Sequence, residues 1–233
     1  MSKFVRFFAG ALVALLPLGA MAQNNLVMVE LYTSQGCSSC PPADAFLGQL
    51  DTREDVLALA FHVDYWDYLG WKDEFGKASH TKRQRTYAAL GKRRSIFTPE
   101  MIIGGSTSLV GHAKRKINAE LKAQAATAPL VRLGLQQTQG SVVITLSPIS
   151  QTGPATVYLV SYQPKTQVAI KKGENRGHRL TYHNVVLDLV PLGKWSGTGE
   201  AQFEATPQNA QARHAVFVQA APQGAILAAA KVN

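Results

Sequence analysis

Hydrophobic positions follow two regimes along the 233 residues. Up to about residue 126, short solid runs alternate with helical spacing. Leu26 to Leu31 is an apolar run interrupted by Glu30 and predicts a buried strand, which Thr33 to Gly36 breaks. Ala43, Phe46, Leu47 and Leu50 then recur at i, i+3, i+4 and i+7, one face of a helix. Pro41 and Pro42 suit its first turn, where backbone N–H groups have no intrahelical partners to lose. Val56 to Val63 predicts a second strand, apolar almost throughout, as in a sheet covered on both faces. Ser79 to Leu90 predicts a helix stopped at Gly91. Met101 to Ile103, the turn Gly104 to Ser106, and Ser108 to Val110 predict a hairpin. A third helix is expected from about Ala113 to Ala126, with Ile117, Leu121 and Ala125 spaced by four.

Near Thr127-Ala128-Pro129 the pattern changes to short alternating or β-branched runs separated by turn residues. They are Leu130 to Leu135, Val142 to Leu146, Thr156 to Tyr162, Gln167 to Ile170, Leu180 to Val190, Ala201 to Ala205, Ala215 to Gln219 and Ile226 to Lys231. About eight short strands at this spacing predict an all-β sandwich. The expected organisation is therefore an α/β domain over residues 23–128 and a β-sandwich domain over 129–233. Between the strands, Lys171 to Arg179 is a basic, polar loop that reads equally as a recognition surface or as a hairpin tip.

Residues 1–22 stand apart. Lys3 and Arg6 precede an apolar run from Phe7 to Leu18, and Ala20-Met21-Ala22 supplies a small-x-small cleavage pattern. The run is shorter than the ~20 residues a spanning helix needs, so it predicts a cleavable export signal and no stable membrane span afterwards. The expected location is the periplasm or the medium. Without Lys3 and Arg6, 22 basic side chains face 15 acidic ones, a net charge of +7. For an exported chain that charge predicts a basic, soluble surface and no nucleic-acid partner.

Export sharpens the meaning of the two cysteines, Cys37 and Cys40. Structural disulfides usually join distant segments, whereas closing a loop of three positions removes little unfolded-state entropy. A zinc site needs about four ligands, which two cysteines without clustered histidines do not supply. Redox chemistry is the use that remains. The pair falls between a strand and the N-terminus of a helix, where the dipole and unpaired N–H groups favour a thiolate. Cys37 is the expected nucleophile and Cys40 the resolving thiol, through a mixed-disulfide intermediate. No cofactor is implied, and the partners are protein thiols or disulfides in the periplasm. Oligomeric state is not legible.

The order strand, C-x-x-C helix, strand, helix, hairpin, helix resembles a thioredoxin-like domain. That resemblance makes Pro99, after Thr98, a cis-proline packed beside the disulfide, with the Thr98 backbone pairing with a substrate chain; the alternative is an ordinary turn proline. It also offers Glu30, a carboxylate in an apolar strand, as a buried proton acceptor for Cys40. The alternative for Glu30 is a solvated strand end. His62 and Asp64, two apart on a strand, share a face; with Asp67 they are candidates for a metal site or proton relay, or for a structural hydrogen bond. Tyr65, Trp66, Tyr68 and Trp71 line a substrate groove or cap the core. Lys82, Arg83, Arg85, Lys92, Arg93 and Arg94 place six positive charges in thirteen positions, a solvated helix face or a docking surface.

Four longer motifs carry a closer resemblance. They are V-E-L-Y-T-S-Q-G-C-S-S-C-P-P-A-D (Val29 to Asp44), F-H-V-D-Y-W-D-Y-L-G-W-K-D (Phe61 to Asp73), F-T-P-E-M (Phe97 to Met101) and G-E-N-R-G-H-R-L-T-Y-H-N-V-V (Gly173 to Val186). Together they are similar to a bacterial secreted family with a thioredoxin-like fold, known as domain of unknown function 1223. Gly36 and Ser38-Ser39 depart from the Trp-Cys-Gly-Pro-Cys of typical thioredoxins. Glu100 and Gly104 stand where the family more often has Gln and Asn or Asp. The expected function is an exported thiol–disulfide oxidoreductase. The competing expectation is a non-catalytic binding or assembly module with a permanent disulfide; a weaker one is a metal-handling protein using the cysteines with His62.

Overall fold

The computed structural model describes residues 26–138, 140–209 and 211–232; the expected export signal lies outside them. Strands β1 (Val27–Thr33) and β2 (Val56–His62) are parallel and buried throughout. Parallel neighbours need a crossover, and α1 (Pro41–Asp51) supplies it. Its Ala43, Phe46, Leu47 and Leu50 pack against Val29, Leu31, Ala58 and Ala60 on one face of the sheet. Helix α2 (Ala78–Leu90) leads to the hairpin of β3 (Glu100–Ile103) and β4 (Thr107–Val110), which adds antiparallel to the free edge of β1. Helix α3 (Lys114–Ala125) returns Ile117 and Leu121 to the core under α1.

Beyond α3, β5 (Val131–Gln137), β6 (Val142–Pro148) and β9 (Ala201–Ala205) form a three-stranded sheet. The other four strands join the first sheet. β7 (Ala155–Ala169) and β8 (Arg179–Trp195) make a hairpin of 15 and 17 residues; β10 (Arg213–Ala220) pairs with β7, and β11 (Ile226–Val232) with β10. On its other side β8 runs parallel to β2, with Val185 opposite Ala60. The result is one eight-stranded mixed sheet, ordered β11-β10-β7-β8-β2-β1-β3-β4.

That sheet overturns the expectation of an α/β thioredoxin-like unit followed by a separate all-β sandwich. Strand makes up 43% and helix 19% of the chain, and strands from both sides of residue 128 share one hydrogen-bonded ladder. The physical reason lies in the hairpin. Thr156 to Tyr162 and Gln167 to Ile170 read as two strands because Pro164 cannot donate to a ladder. In the fold Pro164 falls beside Asn184, between the pairs Gln163–Val185 and Lys165–His183. Asn184 takes a left-handed φ of 47° and gives its amide N–H to the Ala58 carbonyl at 2.9 Å and to Asp51 at 2.6 Å. The strand therefore continues past the proline, and β8 reaches β2.

The large sheet also curls. Leu26 N–H reaches the Ala229 carbonyl at 3.1 Å, and Ile226 N–H that of Gly104 at 2.8 Å. The curl encloses Met28, Leu57, Phe61, Val160, Phe217 and Tyr87.

Candidate active site at the Cys37–Cys40 disulfide

Cys37 and Cys40 are joined, with Cα atoms 5.4 Å apart, and Cys40 is the N-cap of α1. A tight turn presents them: Cys37 N–H donates to the Ser34 carbonyl and Cys40 N–H to that of Cys37, both at 3.2 Å. Gly36 lies close under Trp66: a Cβ there would sit 3.1 Å from the Trp66 Cβ, a tight approach. Pro41 and Pro42 carry no N–H, and the N–H groups of Ala43 and Asp44 are taken by the Cys40 carbonyl. The helix end thus offers fewer free donors than its position suggests, and its dipole acts alone. A hydroxyl makes up part of the difference: Ser39 Oγ lies 3.4 Å from Cys37 Sγ.

Ser38 and Ser39 are exposed, yet Cys37 is only 1% and Cys40 0% accessible. The cover comes from the tip of the β7–β8 hairpin. Asn175 donates to the carbonyl oxygens of Gln35 (2.9 Å) and Cys37 (3.0 Å), and Ser38 N–H donates to the Glu174 carboxylate (3.2 Å). Val168, Ile170, Tyr182 and Val185 anchor the hairpin through Trp71, Phe75 and Leu180. Of the two readings of Lys171 to Arg179, the hairpin tip is the one observed, folded over the disulfide.

Behind the pair lies a buried polar cluster. His62 Nδ1 is 2.7 Å from Asp73 Oδ2, and both side chains are fully buried. Asp73 also accepts N–H bonds from Gln35 (2.8 Å) and Phe75 (2.9 Å). Burial pushes its carboxyl up, but His62 and these donors hold it below the ordinary range. Asp44, one helical turn beyond Cys40, is 4% exposed, and neither of its carboxyl oxygens makes a hydrogen bond of normal geometry. Burial raises it to about 7, against the pull of His62 and the Thr33 hydroxyl and with a further push from Asp73. His62 Nε2 and the Tyr182 hydroxyl are likewise buried without partners. The Tyr182 ring stands 4.8 Å from that of His62, and burial, then Asp44, Asp73 and Glu74, drive its phenol well up.

The other sequence candidates fall as follows. Thr98–Pro99 is cis; Pro99 is buried, and its Cβ and that of Ala43 both flank Gly111, each 3.0 Å from where a side chain there would begin, while Thr98 Oγ1 accepts from Trp66 Nε1 at 2.7 Å. Glu30 is not near the pair. It points to the opposite face of the sheet, where Arg83 binds it at 2.6 and 2.9 Å and the hydroxyls of Tyr32 (2.9 Å) and Tyr87 (2.6 Å) donate to it. Its expected base role is corrected to that of a structural ion pair, because a carboxylate so bound has neither free lone pairs nor access to Cys40. His62 and Asp64 also separate: β2 ends at His62, and Asp64 accepts from the Thr81 hydroxyl at 2.6 Å. Asp67 accepts from Asp73 N–H at 3.1 Å. Among the described residues no three His, Cys, Asp or Glu side chains converge on a metal position.

The aromatic cluster divides. Tyr65 donates to Gln84 (3.3 Å) and Trp71 to Gln35 (2.7 Å), so these rings brace loops around the site, while Tyr68 is 77% exposed. The basic run also divides: Arg83 serves Glu30, Arg93 pairs with Glu100 at 2.7 Å, and Lys82, Arg85, Lys92 and Arg94 face solvent. Asp44, Asp73, Asn175 and Tyr182 were missed as site residues. The signal for Asp44 was an acid inside the apolar stripe of α1; the other three lie within the long motifs.

Fold and site define a protein with a curled eight-stranded mixed sheet, a second three-stranded sheet, and a covered disulfide at the N-terminus of its first helix. The chain belongs to the family described as protein of unknown function DUF1223, whose family model matches residues 28–219. It is similar to a crystallographically solved protein from Agrobacterium tumefaciens, with 30% identity and a TM-score of 0.77 over 91% of this chain and 96% of that one. No curated protein matches it.

Proposed function

We propose that the protein is an exported thiol–disulfide oxidoreductase that exchanges its Cys37–Cys40 bond with protein thiols or disulfides in the periplasm. The observation that carries this reading is the placement of the bond: it joins positions three apart at the N-terminus of α1. Such a bond does little for stability, and its sulfurs lie in a helix-end field that favours thiolate. In the reduced form, the Cys37 thiolate attacks one sulfur of a substrate disulfide, forming a mixed disulfide and releasing one substrate thiol. The Cys40 sulfur then attacks Cys37, re-forming the protein bond and releasing the second thiol. Two electrons and two protons pass from the protein dithiol to the substrate disulfide, and the reverse sequence oxidises a substrate dithiol. With Cys37 so little accessible, either direction requires the hairpin tip to part from the Ser34–Cys40 turn.

That same cover favours the second reading, a binding or assembly module with a bond that stays closed. The reduction potential separates the two. Equilibration with glutathione redox buffers is expected to give a value between about −300 and −120 mV, the range of cycling proteins. A value well below about −300 mV contradicts the exchange reading and supports the closed bond.

A further inference from the structure

A carboxyl group buried without a well-formed hydrogen bond is costly, and more so when charged. Asp44 is in that position, on the surface of α1 that faces the sheet. It stands four positions after Cys40, the N-cap, so the two side chains fall on one face of the helix end, with Cβ atoms ~5–6 Å apart. Helical side chains lean toward the N-terminus, the end of α1 at which Cys40 sits. Thr33 of β1, His62 of β2, Asp73 of the following loop and Tyr182 of β8 surround it from the other elements. Of these, only the imidazole of His62 can carry positive charge, and Asp73 fixes its orientation through Nδ1.

We propose that Asp44 is the proton acceptor and donor for Cys40 when the Cys37–Cys40 bond closes and opens. This rests on the exchange chemistry proposed above. As the bond closes, the Cys40 S–H bond breaks, its proton passes to Asp44, and the sulfur attacks Cys37, displacing the substrate sulfur. As the bond opens, a substrate thiolate attacks Cys37, Cys40 leaves as a thiolate, and Asp44 returns the proton. Ionised Asp44 shares its pocket with His62 and Tyr182, whose unpartnered Nε2 and hydroxyl are the groups able to receive its charge. A carboxyl pushed to about 7 is matched to this work at neutral pH. A purely structural acid would be expected to hold well-formed hydrogen bonds, and neither Asp44 oxygen does.

The test follows closure of the reduced protein after mixing with oxidised glutathione, with acid quenching and mass spectrometry to count glutathione adducts and closed bonds. In the unsubstituted protein, closure of the Cys37–glutathione adduct is expected to accelerate with pH up to about 7 and then level off. In Asp44→Asn it is expected to slow at least tenfold at neutral pH, and its rise is expected to continue toward the ordinary thiol range near 8.5; Asp44→Glu is expected to restore part of the rate. A second measurement needs no substitution: the infrared or carbon-13 signal of the Asp44 carboxyl should change protonation when the bond is reduced. Wild-type closure and pH profile in Asp44→Asn, or a carboxyl signal indifferent to the redox state, overturns the proposal. A protein that exchanges with glutathione through Asp44 but takes no cellular partner loses the proposed function and keeps this inference.

Discussion

Asn175 reaches across 138 positions of sequence to Cys37, and its side-chain amide donates to that residue's carbonyl oxygen at 3.0 Å. The same nitrogen bonds the Gln35 carbonyl at 2.9 Å. One side chain thereby ties the tip of a hairpin in the C-terminal half to the turn that holds the disulfide.

Removing that tie should expose the bond. Leaving buried carbonyl groups unpaired costs about 1–3 kcal/mol, and 1.4 kcal/mol is a factor of ten. Asn175→Ala is expected to speed reduction of Cys37–Cys40 by dithiothreitol about tenfold, followed by timed alkylation. An unchanged rate would mean that the tip does not limit access.

Two buried groups should give stability opposite slopes with pH. Asp44 has a folded value of about 7 against 3.8, so its contribution is present below about 4 and lost as pH rises through about 7, by about 4 kcal/mol in all. His80, whose Nδ1–H donates to the His62 carbonyl at 2.9 Å, is lowered by burial from 6.5 to about 4. Its contribution is present above about 6.5 and lost as pH falls toward about 4, by about 3 kcal/mol. The two oppose each other in the intact protein. Urea unfolding at about pH 4.5 and about pH 7.5 should show Asp44→Asn gaining relative to wild type at the higher pH, and His80→Gln gaining at the lower. Parallel pH dependence in all three proteins would contradict both assignments.

Glu30 and Arg83 should matter for folding and not for exchange. The Arg83 guanidinium lies 5.2–5.9 Å from the ring centres of Phe61, Tyr87, Tyr158 and Phe217 while holding Glu30. Breaking a buried pair from one side leaves a charge without its partner, at about 3–5 kcal/mol. Arg83→Met and Glu30→Gln are both expected to lower stability on that scale in urea titrations. The closure rate of the glutathione adduct should stay at the wild-type level wherever the variants remain folded. A tenfold loss of closure in Glu30→Gln would return that residue to the acid–base role.

The first half of the chain was legible because its order is local. The apolar stripe of α1, the solid runs of β1 and β2, and the Gly104–Ser106 turn each carry their own signal within a dozen residues. The C-terminal architecture was not, because its decisive contacts are between distant positions. Pro164 reads as a strand end, and nothing local announces that Asn184 will bridge past it to Ala58. The site divides in the same way. Cys37, Cys40 and Thr98–Pro99 stand out by type and spacing, whereas Glu30 misled because alternation within a strand does not say which face meets α1. His62 suggested Asp64 by spacing, but the chain turns after β2 and brings Asp73 to it instead.

Whether the bond cycles is read most directly by trapping. Cys40→Ala leaves Cys37 without its resolving partner, so each attack on a substrate disulfide stops at the mixed disulfide. Expressed with its own N-terminal segment in the source cell and recovered under acid quench, this variant should carry protein partners on Cys37 that dithiothreitol releases, absent from the Cys37→Ala, Cys40→Ala double variant. The account is contradicted if Cys37 comes back free of adducts and if the intact pair, sampled in the same cells, is never found reduced.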